Sequence, residues 1–248
     1  MRYLIILFTL LTYPLAAGEV KVAVAANVTY AMEEIVKSFR QSHPDINVRT
    51  TLGSSGNLTA QIMRGAPYQL FLSANMRYPQ RLYKEGFAIT EPKIYAMGAL
   101  ALLSRKERDF SKGIASLRSP EIKRIAIANP KTAPYGKAAL EALQKSGLYP
   151  ALRPKLLYAQ SVAQVLSYIL TAVDVGFVAK SSLYSPKMRA FKEGLHWITV
   201  DPAYYSPIEQ GVVMLKRAKG NPDAEAFYRF IFSDEVKKIL KAYGYKVP

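Results

Sequence analysis

The residues best suited to chemistry in this sequence are two serines framed by glycines, Gly53-Ser54-Ser55-Gly56, which follow a strand-like run and precede an apolar helix. The first N–H groups of a helix have no acceptor within the helix, and the aligned peptide dipoles place partial positive charge at this end. Glycine allows close backbone approach or a positive φ, and serine adds a hydroxyl donor or a helix cap. The turn therefore predicts an oxyanion site, although an ordinary capped helix has the same pattern.

Three other predicted helix starts resemble this one. Asn27 ends a strand-like run and precedes a helix that Asn27 or Thr29 is expected to cap. Tyr135 lies in the turn before another helix, and Val162 follows Ser161 at the start of a capping-box sequence. Each of these residues lies within two residues of a predicted helix N-terminus, where a free main-chain N–H can bind an anion.

Strand-like and helical segments alternate along the chain. Apolar runs such as Gln69–Ser73, Ile125–Ala128 and Val175–Ala179 are separated by helices with apolar residues at helical spacing. This alternation favours parallel strands covered by helices on both faces. Two more strand-like runs, Tyr95–Ser104 and Gln210–Leu215, lie where the chain can cross between two units. We therefore predict an α/β protein of two lobes, each a mainly parallel sheet flanked by helices, joined by two crossover segments.

The predicted domain boundaries follow from these crossings. Lobe 1 is discontinuous and comprises residues 18–97 and 206–248, and lobe 2 comprises residues 98–205. The cleft between the lobes is the expected ligand site. Residues 1–17 have the basic start, apolar core and small terminal residues of a cleavable signal peptide, and Pro14 interrupts an apolar run too short for a membrane anchor. We therefore expect an exported protein that acts in the periplasm.

The composition limits the classes of partner. The chain has 34 Lys and Arg against 18 Asp and Glu, a net charge of +16, and no cysteine. Such a charge is compatible with nucleic-acid binding, but the basic residues are scattered without a basic run, and export argues against a nucleic-acid partner. We interpret the charge as a solvated surface that also attracts anions. The lack of cysteine excludes a disulfide framework.

A secreted enzyme is the main competing class. The two histidines, His43 and His196, lie in a polar turn and beside Trp197, and the sequence has neither a cysteine nor a Gly-x-Ser-x-Gly motif to supply a nucleophile. No histidine or carboxylate cluster has the spacing of metal ligands. We therefore expect neither catalysis nor a cofactor.

Five short segments occur in an order that is shared with a known family. They are Ala25-Ala26-Asn27, Gly53-Ser54-Ser55-Gly56-Asn57-Leu58, Phe71-Leu72-Ser73-Ala74-Asn75, Pro134-Tyr135-Gly136-Lys137-Ala138-Ala139 and Ser161-Val162. Together they resemble the periplasmic molybdate-binding proteins of ABC-type importers, which have the type II periplasmic binding protein fold. The resemblance implies a monomeric solute-binding protein that closes on molybdate or tungstate and delivers it to a membrane permease.

By position, the resemblance implies that Asn27, Ser55, Tyr135 and Val162 hold the anion, the last two through main-chain N–H groups. These residues would contact the oxygen atoms of the anion and would not ligate its metal atom directly. Asn27 stands where the family often has serine, and its amide can still donate. Ala179 stands where many members have a donor tyrosine, so one hydrogen bond is either absent or supplied by Asn27 or the main chain near Tyr135.

None of the four implied site positions is acidic. A protonated anion such as hydrogen phosphate needs an acceptor for its proton, so these residues favour a fully deprotonated dianion: molybdate, tungstate or sulfate. The preference for molybdate over sulfate follows from the resemblance alone. The choice between molybdate and tungstate stays open.

Overall fold

The computed structural model describes residues 18–248, so the predicted signal peptide, residues 1–17, lies outside the described residues. The strands are β1 (Gly18–Ala25), β2 (Ile46–Gly53), β3 (Leu70–Ser73), β4 (Lys93–Gly98), β5 (Leu100–Ser104), β6 (Ile125–Ala128), β7 (Leu156–Ala159), β8 (Val175–Ala179), β9 (Trp197–Thr199) and β10 (Ile208–Met214). The α-helices are α1 (Thr29–Ser42), α2 (Ser55–Met63), α3 (Arg77–Lys84), α4 (Pro134–Lys145), α5 (Tyr149–Leu152), α6 (Val162–Thr171), α7 (Pro222–Phe230) and α8 (Asp234–Ala242). Within residues 18–248, no helix combines the length and apolar character needed to cross a membrane.

The strands form two five-stranded sheets built on the same plan. The first sheet has the order β2-β1-β3-β10-β4, and the second has the order β7-β6-β8-β5-β9. In each, the first three strands are parallel, and the fourth runs antiparallel to both of its neighbours. The predicted α/β class with two helix-flanked sheets is confirmed, and the antiparallel fourth strand makes each sheet mixed.

The first sheet has a hydrophobic core on each face. Val22 and Val24 of β1 belong to a core with α1, α7 and α8, whereas Ala23 belongs to a second core with α2 and α3. Leu72 and Phe71 of β3 divide between the same two cores. Successive side chains of a strand point to opposite faces, so this sheet is covered by helices on both sides. We call the first sheet with these five helices lobe 1.

The second sheet, with α4, α5 and α6, forms lobe 2 around one continuous core. Every residue of β6 and β8 is buried. Strands covered on both faces appear in a sequence as continuous apolar runs, which is why these two were predicted. The edge strands β7 and β9 were missed, because β7 exposes its two central residues and β9 has only three residues.

The chain passes between the two sheets twice. Only Ala99 separates β4 of the first sheet from β5 of the second, so the predicted strand Tyr95–Ser104 is two strands in different sheets. The chain returns from β9 through the 3₁₀ helix Pro202–Tyr204 to β10. A Cβ atom on Gly98, at the end of β4, would overlap the hydroxyl of Tyr135. The absence of a side chain at Gly98 therefore lets lobe 2 pack against the first crossing.

Glycines in the sequence mark the C-terminal ends of several helices correctly, whereas the cap predicted at the N-terminus of α1 does not form. Helices α2, α3, α4 and α8 are followed by glycines with positive φ, namely Gly65, Gly86, Gly147 and Gly244. A 3₁₀ helix, Ala26–Val28, precedes α1, and the Thr29 hydroxyl donates to the Ala26 carbonyl at 2.8 Å. Neither helix has a side-chain cap, so the predicted cap at Asn27 or Thr29 is wrong. The Asn27 side chain has partners elsewhere in the fold.

Candidate functional site

The structure brings all four predicted site residues, Asn27, Ser55, Tyr135 and Val162, around one small pocket between the lobes. The pocket is lined by Ala25, Ala26, Asn27, Gly53, Ser54, Ser55 and Ala74 from lobe 1, and by Ala133, Pro134, Tyr135 and Val162 from lobe 2. The cavity volume is about 10 Å³, far smaller than the usual site of a drug-sized ligand. No lining residue carries a formal charge, so the pocket suits a small ligand held by neutral donors.

Each of the four residues lies at the start of a helix. Ser55 and Val162 are the first residues of α2 and α6, Tyr135 is the second residue of α4, and Asn27 is the second residue of the 3₁₀ helix before α1. Main-chain N–H groups at such positions have no acceptor within their helix. Four helix ends with partial positive charge therefore border one uncharged pocket, an arrangement that favours an anion.

Lobe 1 adds serine hydroxyls to these N–H groups. The Ser55 Oγ atom accepts a hydrogen bond from the Ala74 N–H at 3.0 Å, which leaves the hydroxyl proton of Ser55 free to donate. Ser54 precedes α2 but makes no side-chain cap, and its buried Oγ has no hydrogen-bond partner in the described part of the chain. The sequence offered both serines of the turn as hydroxyl donors, but only Ser55 was carried into the predicted site. The signal for Ser54 is three-dimensional, because an unpartnered buried hydroxyl is costly unless a ligand supplies the partner.

The glycines of the serine turn matter because they lack a side chain, and not because they adopt a positive φ. Neither Gly53 nor Gly56 has a positive φ. The N–H of Gly56 donates to the Thr132 carbonyl of lobe 2 at 2.8 Å. This N–H is therefore already used between the lobes, and Ser55 is the residue in the first turn of α2 that lines the pocket.

The Asn27 side chain is held by other buried side chains. Its Nδ2 donates to Gln210 Oε1 at 2.8 Å and to the Tyr245 hydroxyl at 2.9 Å. The Gln210 Nε2 atom in turn donates to the Ile208 carbonyl at 3.2 Å. This bond leaves Gln210 Oε1 as the acceptor, so Asn27 must present its Nδ2 atom to Gln210. Both amide hydrogens of Asn27 are used inside the protein, so the structure does not support the prediction that this amide donates to an anion. The main-chain N–H is the donor that Asn27 offers.

A cluster of buried hydroxyl groups lies behind the pocket, next to the first crossing. The Tyr245 hydroxyl lies 3.0 Å from both the Asn27 carbonyl and Ser181 Oγ, and Ser181 Oγ donates to the same carbonyl at 2.9 Å. Burial raises the pKa of Tyr245 to about 12 and raises the pKa of Tyr135 well above its ordinary value. These tyrosines therefore stay neutral near pH 7 and place no negative charge beside the pocket.

Ala179, at the position where the resemblance implies a donor tyrosine, supplies no side-chain donor to the pocket. Ala179 is buried at the end of β8 and does not line the pocket. The hydroxyls of Ser181 and Tyr245 bond to the main chain of Asn27 from behind and do not line the pocket either. They fix the position of the Asn27 peptide group instead of supplying a donor to a ligand.

The two helix starts of lobe 2 at the pocket are held by local hydrogen bonds and by close packing. Ser161 Oγ accepts from the Gln164 N–H at 3.3 Å, and Gln164 Oε1 accepts from the Gln160 N–H at 2.7 Å. The predicted capping interaction at Ser161 forms, with the glutamine reaching Gln160 and not Ser161 itself. At α4, a Cβ atom on Gly136 would overlap the Ala128 carbonyl, so glycine lets the start of this helix pack directly on β6.

The groups considered for enzymatic chemistry lie outside the pocket. His43 stacks on Phe39 with 4.2 Å between ring centroids, and His196 Nδ1 accepts a hydrogen bond from the Lys192 N–H at 3.2 Å. Among residues 18–248, no group of three or more His, Cys, Asp or Glu side chains could hold a metal ion. Both histidines therefore have structural contacts that account for them.

Comparisons with known proteins agree with this geometry. A family model described as "Bacterial extracellular solute-binding protein" matches residues 20–246. The molybdate-binding protein ModA of Azotobacter vinelandii is 38% identical over 231 residues, which cover 92% of this chain and 90% of that protein. The solved structure of the Azotobacter vinelandii periplasmic molybdate-binding protein has a TM-score of 0.85 at 32% identity and covers 92% of this chain and 99% of that chain. The sulfate-binding protein SubI from Mycobacterium tuberculosis H37Rv has a TM-score of 0.75 at 16% identity, with 93% and 87% of the chains covered, and shares the fold.

Proposed function

The chain belongs to the family of bacterial extracellular solute-binding proteins, and from that premise we propose that it binds molybdate, and also tungstate, in the pocket between its lobes. It is a binding protein and not an enzyme. The observation that carries the choice of an anion is the meeting of four helix N-termini, from both lobes, at one uncharged pocket. The choice of molybdate rests on the resemblance to the Azotobacter vinelandii protein.

The donors proposed for the anion are Asn27, Ser55, Tyr135 and Val162, with Ser54 as a fifth. All of them are neutral, and no lining carboxylate is available to accept a proton from the ligand. A fully deprotonated dianion fits this set better than hydrogen phosphate. Hydrogen bonds to a charged group are stronger than neutral ones, and exclusion of water strengthens them further.

We propose closure of the lobes as the binding mechanism. Asn27 and Ser55 lie in lobe 1, whereas Tyr135 and Val162 lie in lobe 2. The anion receives all its hydrogen bonds only when the two lobes are together, so its differential affinity favours the closed form. The movement would occur about the two crossings, near Ala99 and between β9 and β10.

The wider biological setting is part of the same proposal. After export to the periplasm, the protein would act as a monomer and deliver its anion to the membrane permease of an ABC importer. The lobe boundaries that we propose are residues 18–97 with 206–248 for lobe 1 and residues 98–205 for lobe 2.

A thermal-shift series tests the function. The protein is melted with molybdate, tungstate, sulfate or phosphate at matched ionic strength, because a net charge of +16 makes non-specific anion effects depend on salt. Ligand at 100 times its Kd should stabilise the fold by about 2.7 kcal/mol. We expect stabilisation by molybdate and tungstate and none by phosphate. The absence of a shift with both molybdate and tungstate would show that the proposed function is wrong.

A further inference from the structure

Several hydrogen bonds join the lobes outside the pocket, including Tyr245 with Ser181 and Ser206 with Glu141, and two of them hold the turn before α4. The Gly56 N–H, in the first turn of α2, donates to the Thr132 carbonyl at 2.8 Å. The Tyr78 hydroxyl, on α3, donates to the Lys131 carbonyl at 3.2 Å. Both donors belong to lobe 1 and both acceptors to lobe 2, and none of these four residues lines the pocket. They are contacts between the lobes that need no ligand atom.

The two acceptors are consecutive carbonyls of a turn that is itself well hydrogen-bonded. The Asn129 carbonyl accepts from the N–H groups of Thr132 and Ala133 at 3.1 and 2.8 Å, and Asn129 Oδ1 accepts from the Lys131 N–H at 3.0 Å. This turn leads directly into α4, whose second residue, Tyr135, lines the pocket. A contact that holds the turn against lobe 1 therefore also positions the Tyr135 N–H.

The approach of the lobes depends on the lack of a side chain at Gly56. A Cβ atom there would lie 2.9 Å from both the Cα and the carbonyl oxygen of Thr132, closer than Cβ atoms approach backbone. It would also lie 2.7 Å from the Tyr78 hydroxyl. Gly56 is helical and has no positive φ, and alanine is the better helix former, so within lobe 1 only the Tyr78 hydroxyl, at the end of its side chain, would have to shift for alanine. The backbone contact that requires glycine comes from Thr132 of lobe 2.

We propose that Gly56 and Tyr78 are positioning residues for anion binding, which form an interlobe clasp with the carbonyls of Thr132 and Lys131. The inference rests on the proposed function and extends it to residues that do not touch the ligand. The clasp holds the start of α4 in place while the anion is bound. Since lobe opening precedes release of an enclosed ligand, the clasp slows dissociation.

Two substitutions test the clasp. Gly56→Ala should weaken molybdate binding at least about tenfold, because loss of closure separates the donors of the two lobes. Tyr78→Phe removes one neutral hydrogen bond and should weaken binding about two- to tenfold. In both variants the dissociation rate should rise while the association rate stays near that of the parent. A simple loss of folded protein would instead lower the active fraction without changing either rate.

The experiment uses the full chain and matched controls. Molybdate affinity is measured by calorimetry, the two rates by stopped flow, and compaction on binding by small-angle X-ray scattering. Asn57→Ala, at an exposed position in the first turn of α2, is the control for Gly56→Ala. Tyr83→Phe, at an exposed tyrosine of α3, is the control for Tyr78→Phe. Both controls should bind and compact like the parent.

The outcomes separate the two proposals. If the parent binds and compacts but a clasp variant keeps the parent dissociation rate and compaction, the role assigned to that residue is wrong while the anion site stands. If the parent binds neither molybdate nor tungstate, the proposed function is wrong, and the role proposed for the clasp in anion binding is wrong as well. Ligand-free melting of each variant checks folding, and if Gly56→Ala melts early, Tyr78→Phe decides the question alone.

Discussion

The two lobes supply different kinds of donor to the same pocket. Lobe 1 presents the hydroxyls of Ser54 and Ser55 together with the main chain of Asn27. Lobe 2 presents Tyr135 and Val162, whose contribution can come only from the backbone, because Val162 has no polar side-chain atom and the Tyr135 hydroxyl lies against Gly98 at the crossing. Hydroxyl donors therefore come from lobe 1 alone, whereas lobe 2 can offer only main-chain N–H groups at the starts of its helices.

This difference shows that polar and apolar residues can both provide hydrogen-bond donors to one pocket. In lobe 2 the side chains are free to serve packing, as the burial of Val162 and Tyr135 shows, and only their N–H groups are proposed to donate to the anion. A main-chain donor survives most substitutions, because every residue except proline carries it. Alanine scanning should therefore detect the serine hydroxyls of lobe 1 and overlook the main-chain donors of both lobes.

The largest effect is expected from removing a backbone donor of lobe 2. Val162→Pro deletes the N–H at the first position of α6, where proline is well tolerated, and Ser161 before it already has the extended φ of −145° and ψ of 164° that proline requires. A lost hydrogen bond to a charged ligand, together with the ring in place of the N–H, should weaken molybdate binding about 100-fold or more. Calorimetric titration measures the change.

Val162→Ala is the matched control, since it keeps the N–H and removes only buried methyl groups. It should lower the melting temperature through lost packing but leave the Kd within about threefold of the parent. Equal affinities of the proline and alanine variants would show that the Val162 N–H does not bind the anion.

An intermediate effect is expected from Ser55→Ala in lobe 1. The variant removes a hydroxyl donor to the anion, and it also leaves the Ala74 N–H without its 3.0 Å partner. Molybdate binding should weaken about 10- to 100-fold, the range expected for one hydrogen bond to a charged group. Ser54→Ala, titrated in parallel, shows whether the second hydroxyl also donates. Parent-like affinity in Ser55→Ala would remove this residue from the site.

The smallest effect is expected from Tyr135→Phe in lobe 2. The Tyr135 hydroxyl is buried beside the side chains of Asn27 and Tyr245, makes no well-formed hydrogen bond within the described residues and packs against Gly98. Its removal leaves the N–H in place, so the Kd should change by less than about twofold, and the melting temperature should stay equal or rise because an unpartnered buried hydroxyl is lost. A tenfold loss of affinity would mean that the hydroxyl contacts the ligand, and the contrast between the lobes would then fail.

Much of the fold was predictable because its signals are local. Buried central strands such as Ile125–Ala128 appear as apolar runs, and glycines such as Gly147 mark helix ends. The run Tyr95–Ser104 was predicted as a crossing between the lobes, but it was taken as one strand, whereas the structure divides it at Ala99 into two strands of different sheets. Edge strand β9 was also hidden, because three residues give no periodic pattern.

For the site, the sequence by itself determined where the helices start and that the residues there are small or neutral, since both follow from local residue types. Only the tertiary structure decided which donors remain free. The Asn27 amide is occupied by Gln210 and Tyr245, which follow it by 183 and 218 residues. The Gly56 N–H is taken by Thr132 of the other lobe. A hydrogen-bond donor has one partner at a time, and partners so distant in the chain are set by how the two lobes pack.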